Sequence, residues 1–66
     1  MIPKGWIRLT EYTNNLVYLK ANMITGVVKD TAPDTSVCRD VVCNGVHYYV
    51  IEGPVEIFDL ITDALK

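Results

Sequence analysis

Val37-Cys38-Arg39-Asp40-Val41-Val42-Cys43, then Asn44-Gly45, then Val46-His47-Tyr48-Tyr49-Val50-Ile51-Glu52 is the stretch that decides the fold. Two runs rich in β-branched and aromatic residues flank an Asn-Gly pair. A type I′ turn favours that pair because both of its central residues take positive φ. The turn sets the register. Cys43 opposes Val46, Val41 opposes Tyr48, Arg39 opposes Val50 and Val37 opposes Glu52. On the other face Val42 lies against His47, Asp40 against Tyr49 and Cys38 against Ile51.

Upstream, Trp6-Ile7-Arg8-Leu9-Thr10-Glu11-Tyr12 alternates apolar and polar residues, and Leu16-Val17-Tyr18-Leu19-Lys20 reads as its return strand. A three-residue loop at Thr13-Asn14-Asn15 pairs Tyr12 with Leu16, Thr10 with Tyr18 and Leu9 with Leu19. Ile7, Leu9, Val17 and Leu19 then share one face. Arg8, Thr10, Tyr12, Tyr18 and Lys20 share the other. A two-residue loop would set Leu9 against Lys20 and mix the faces. Ala21-Asn22 reads as a corner, and Met23 to Lys29 as a third strand with Gly26 marking a bulge. Residues 30–35 read as a polar, proline-containing loop.

Downstream, Gly53-Pro54 ends the last strand, and Pro54 suits the first position of a helix over 55–65. Ile57, Phe58, Ile61 and Leu65 fall on one stripe of it. Glu56 and Asp59 lie early, where the helix dipole favours negative charge, and Lys66 lies at its end. The expected fold is α+β: a small antiparallel β-meander of about five strands with one C-terminal helix packed on one face, residues 1–66 forming a single domain.

The composition fits a folded domain, with half of its 66 residues apolar and 21% charged. A chain of this length buries only about 60% of its unfolded surface, so it must pack unusually well, carry staples or borrow surface from a partner. No apolar run approaches the roughly 20 residues of a membrane span, and none reads as a secretory leader. The net charge is −2. Residues 1–29 carry an excess of base (Lys4, Arg8, Lys20 and Lys29 against Glu11), while residues 30–66 are strongly acidic. Net acidity argues against a general nucleic-acid binder, since phosphate contacts supply most of that affinity. It leaves room for a local basic face.

One helix cannot cover both faces of such a sheet. The uncovered face carries Arg8, Tyr12, Tyr18, Lys20 and Tyr49, with Trp6, His47 and Asp40 as secondary candidates. Aromatic residues and arginine are enriched where proteins meet. The same set could stack on and neutralise a nucleotide, a small anionic ligand or a single strand of nucleic acid.

Catalysis is not expected. His47, Asp40 and Tyr49 share a face and could orient an imidazole, but no activated nucleophile accompanies them. Cys38 and Cys43 are five residues apart in one strand, about 16–17 Å, beyond the roughly 7 Å reach of a disulfide. They read as buried free thiols, which suits a reducing compartment. Their spacing is not that of a zinc site. Glu56, Asp59 and Asp63 form an acidic stripe with no converging ligands, so neither metal nor cofactor is expected.

Ile7-Arg8-Leu9-Thr10, Val17-Tyr18-Leu19, Asn22-Met23-Ile24, Asn44-Gly45, and Tyr49-Val50-Ile51-Glu52 followed by Val55-Glu56 and a short helix resemble the small flagellar and swarming-motility proteins of the FlbD-like family. The resemblance runs over nearly the whole chain and extends to phage-encoded relatives of this small β-sheet domain. Two departures stand out. Gly53-Pro54 replaces a hydroxyl cap, and a longer loop precedes the middle hairpin with Arg39 and Asp40. The family pattern has no catalytic residues, so the resemblance implies a cytoplasmic, non-enzymatic accessory protein acting by contact, in bacteria or, if phage-encoded, in the host cytoplasm. The expected partners are a second copy of the chain and another protein, without membrane insertion. A nucleotide or nucleic-acid ligand is the alternative.

Overall fold

The Asn-Gly hairpin forms as its turn chemistry dictates. Asn44 and Gly45 take φ values of 52° and 79°, and the strands on either side pair Cys43 with Val46, Val41 with Tyr48 and Arg39 with Val50. The computed structural model describes residues 2–34 and 36–66; Thr35, at the end of the proposed loop, lies outside them. The elements run β1 (Trp6–Thr10), β2 (Leu16–Lys20), a 3-10 turn (Ala21–Met23), β3 (Ile24–Thr31), β4 (Val37–Cys43), β5 (Val46–Val50) and α1 (Pro54–Ala64). The fold is thus a small α+β arrangement of five antiparallel strands and one C-terminal helix.

The strands divide between two sheets, β1-β2 and β3-β4-β5, where a simple meander would make one. The break falls at the Ala21–Met23 corner, whose 3-10 turn carries β3 away from β2. The Gly26 bulge appears as a register shift between Ile24 and Gly26.

Two details of register differ from expectation and have one cause. β5 ends at Val50 instead of continuing to Glu52, because the chain there passes from β4 to the first hairpin. Glu11 bridges Val50, Tyr12 N–H donates to Tyr49 O at 3.0 Å and Ile51 N–H donates to Thr10 O at 2.9 Å. The Val37–Glu52 and Cys38–Ile51 pairs therefore do not form; Val37 and Cys38 pair with Thr31 and Asp30 of β3. Glu52 instead turns its carboxylate onto Thr10 N–H, with both oxygens at 2.9 Å.

Because Glu11 and Tyr12 serve β5, the first hairpin closes earlier than a three-residue loop allows. Thr10 pairs with Leu16, Leu9 with Val17 and Arg8 with Tyr18. Asn14, at φ 72°, shapes the longer connection, and Glu11 N–H donates to Asn15 O at 2.8 Å. The slip is two residues. Side chains alternate with a period of two, so the residues within β1 and β2 keep their expected faces, while Tyr12 leaves the hairpin for β5. Ile7, Leu9 and Leu19 are buried; Trp6, Arg8, Tyr18 and Lys20 face outward.

The core sits between the sheets. Ile7, Leu9, Leu19 and Ala21 meet Val41, Cys43 and Val50, and Ile57 enters from α1 with no surface left exposed. The helix packs against β1 and the 3-10 turn. Pro54 occupies its first turn and Gly53 caps it without a side-chain hydrogen bond. Its buried stripe is Ile57 with Leu60, Ile61 and Ala64, rotated from the expected one. Phe58 and Leu65 lie outside the core, 54% and 55% exposed.

Candidate functional site

An open cleft of about 260 Å³ lies along β2. Tyr18, Leu19 and Lys20 all line it, although successive residues of a strand point to opposite faces. The cleft therefore runs along the strand's edge. Among the described residues that edge has no partner, since β2 pairs only with β1. Across the gap stand Val46 and Tyr48 of β5, with Trp6 and Met23 closing the sides. Buried Leu19 and Cys43 form its apolar floor.

The end of the cleft is tied by backbone contacts. Asn44 N–H donates to Met23 O at 2.9 Å, and the Cys43 thiol lies 3.8 Å from Lys20 O. Trp6 stands directly opposite Lys20 in the β1-β2 ladder, and Arg8 opposite Tyr18. No carboxylate lines the cleft. It combines three aromatic rings, a methionine and a lysine.

The structure separates the expected aromatic face into two places. Tyr18, Lys20 and Trp6 line the cleft, and Arg8 stands exposed beside Tyr18. Tyr12 and Tyr49 are elsewhere, half-buried, in an edge-to-face contact with ring centroids 6.3 Å apart. Tyr49 belongs with Asp40 and His47 on the outward face of the three-stranded sheet. Sequence reasoning missed Tyr48, Met23 and Val46. Tyr48 carried a usable signal: a tyrosine placed by alternation on the core face needs an outlet for its hydroxyl, which favours the rim of an opening.

His47 Nδ1 and Asp40 Oδ2 are 2.8 Å apart, and Tyr49 stands opposite Asp40 in the β4-β5 ladder without a side-chain hydrogen bond to either among the described residues. The second Asp40 oxygen is buried and has no hydrogen-bond partner among the described residues. His47 is exposed, and among the described residues no nucleophile is hydrogen-bonded to it. Cys38, only 1% exposed, lies on this side of β4, whereas Cys43 faces the core; both are free thiols. Burial pushes the Cys38 thiol up from its ordinary value of 9.0, assisted by the carboxylates of Asp30, Asp34 and Asp40. The Tyr49 hydroxyl is raised as well, by desolvation first and then by Asp40 and Asp30. Both shifts favour the neutral thiol and the neutral phenol.

That has a consequence for stability. Below the ordinary thiol value Cys38 is protonated whether the chain is folded or not, so it adds no pH dependence. As pH rises above about 9 the unfolded chain loses this proton and the folded chain keeps it, which favours unfolding. The urea midpoint is expected to fall between about pH 8 and pH 10, and Cys38→Ala to flatten the onset of that fall. Equal slopes for the two proteins would contradict the assignment.

Among the described residues no group of His, Cys, Asp and Glu side chains could hold a metal ion, and no helix is long and apolar enough to cross a membrane. Compared with protein-family models, curated proteins and solved structures, the chain matches none.

Proposed function

We propose that this chain is a small non-catalytic protein-interaction module, a homo-oligomeric accessory or inhibitory protein that works through the aromatic cleft along β2. The observation that supports it is the cleft itself. Trp6, Tyr18 and Tyr48 leave apolar surface open beside an unpaired strand edge, in a domain with little surface to spare. Tryptophan and tyrosine are the residues around which interface energy concentrates. An accessory role by contact also agrees with the resemblance to the FlbD-like proteins, cytoplasmic and bacterial or phage-encoded, which rests on sequence motifs.

A second reading draws on Lys20 and Asn44 at the cleft: a nucleotide, a small anionic ligand or a single strand of nucleic acid stacked on the rings. Salt separates the two. Sedimentation velocity over a dilution series should show reversible self-association that changes little between about 50 mM and 200 mM salt, because apolar contacts carry it. Binding to an oligonucleotide that falls steeply over the same range would favour the second reading. A monomer at every concentration and salt would remove self-association from the proposal.

A further inference from the structure

Rotation of the helix leaves a second unpartnered apolar surface. Val55, Phe58, Thr62 and Leu65 follow one another at three- and four-residue steps, so they form a continuous outer stripe on α1. Val55 is 73% exposed. The Thr62 hydroxyl donates to Phe58 O at 2.9 Å within the helix, which spends its polar group locally and leaves its methyl to the stripe. Glu56 and Asp59 flank this stripe, and Asp63 lies on the same side, paired with Lys66 at 3.2 Å. The result is an apolar ridge with an acidic border.

The cleft along β2 is its complement. It is concave, aromatic and bordered by Lys20, with Arg8 nearby and no carboxylate in its walls. A cavity of about 150 Å³ suffices to hold a benzene ring; this one measures about 260 Å³. We infer that the cleft of one copy receives the α1 ridge of a second copy, with Phe58 set among Trp6, Tyr18 and Tyr48 and the acidic border of the helix facing Lys20 and Arg8. The inference rests on the reading of the cleft as a binding site and names its occupant.

Ridge and cleft are different patches of one surface, so the contact is head-to-tail and a joined pair retains one free ridge on one copy and one free cleft on the other. Such contacts build rings or open chains. Opposite charge on the two borders steers the correct approach and disfavours ridge-on-ridge contact, which would bring Glu56 and Asp59 against their own copies.

The test uses Phe58→Asp and Tyr18→Ala, both at exposed positions, with thermal unfolding to confirm that each is folded. Wild-type protein is expected to form species larger than a dimer, and each variant alone to weaken association by at least about tenfold. An equimolar mixture should recover a dimer and stop there, because one variant supplies an intact cleft and the other an intact ridge. If Phe58→Asp associates like wild type while Tyr18→Ala does not, the cleft remains a binding site and the helix is not its occupant; pairing along the β2 edge would be one such case. If Tyr18→Ala associates normally while Phe58→Asp does not, both the occupant and the cleft reading fall. A mixture that stays monomeric overturns the head-to-tail arrangement, and so does a monomeric wild type.

Discussion

Ile57→Ala is expected to cost about 2–5 kcal/mol, the range for removing a buried isoleucine side chain and leaving a cavity. Ile57 is fully buried and is the one residue that carries α1 into the core between the two sheets. Leu60, Ile61 and Ala64 pack around it at partial burial and cannot replace it. A domain of this size has little margin, since native proteins hold only about 0.05–0.15 kcal/mol per residue. The variant should therefore populate the unfolded state strongly without denaturant, with a collapsed urea midpoint and lost near-ultraviolet dichroism. A midpoint close to that of wild type would mean that α1 contributes little to the fold. Ile57→Val should fall between, at about 0.5–1.5 kcal/mol.

Tyr18→Ala should act on association and spare the fold. Its ring is 48% exposed and lines the cleft, so truncation removes contact area without opening the core. A central interface tyrosine is worth about 2 kcal/mol or more, roughly thirtyfold in Kd. Tyr12→Ala is the counterpart. Tyr12 stands outside the cleft and leans on Tyr49, with ring centroids 6.3 Å apart. An edge-to-face pair contributes about 0.5–1.5 kcal/mol beyond its buried area, so that change should lower stability and leave association intact. Measured side by side by urea unfolding and sedimentation, the two variants should exchange effects. The same response from both would dissolve the distinction between cleft and sheet face.

That distinction was only half legible in the sequence. Asn44-Gly45 carries its own backbone requirement, so the second hairpin and its register could be read from a few residues. The helix over Pro54–Ala64 was similarly plain. Apart from Tyr12, the membership of the two faces of β1-β2 was readable too, and it survived a two-residue slip because alternation is insensitive to even shifts.

What local pattern cannot express is which strand lies along each edge. Residues 49–52 continue the β-pattern, yet Tyr49 O accepts from Tyr12 N–H, Ile51 N–H donates to Thr10 O and the Glu52 carboxylate accepts from Thr10 N–H. This long-range exchange shortened β5, lengthened the first loop and moved Tyr12 and Tyr49 away from Tyr18.

The helix presented a different ambiguity. Ile57 and Ile61 belong equally to a stripe with Phe58 and Leu65 or to one with Leu60 and Ala64. Hydrophobicity favours the first. Packing against β1 and the 3-10 turn selects the second, in which small Ala64 sits beside the core and bulky Phe58 faces outward. The candidate cleft was invisible for the same reason: Tyr48 and Met23 become its walls only when β5 and the 3-10 turn stand opposite β2.

Trp6 is the only tryptophan in the chain, and it lines the cleft. Its emission therefore reports directly on whether the cleft is the working surface. Over a concentration series, wild-type emission should shift to shorter wavelength as association proceeds and the ring leaves water, in step with the sedimenting mass, while Tyr18→Ala shows neither change at the same concentrations. Association that proceeds with Trp6 emission unchanged would place the contact elsewhere on the molecule and contradict the account.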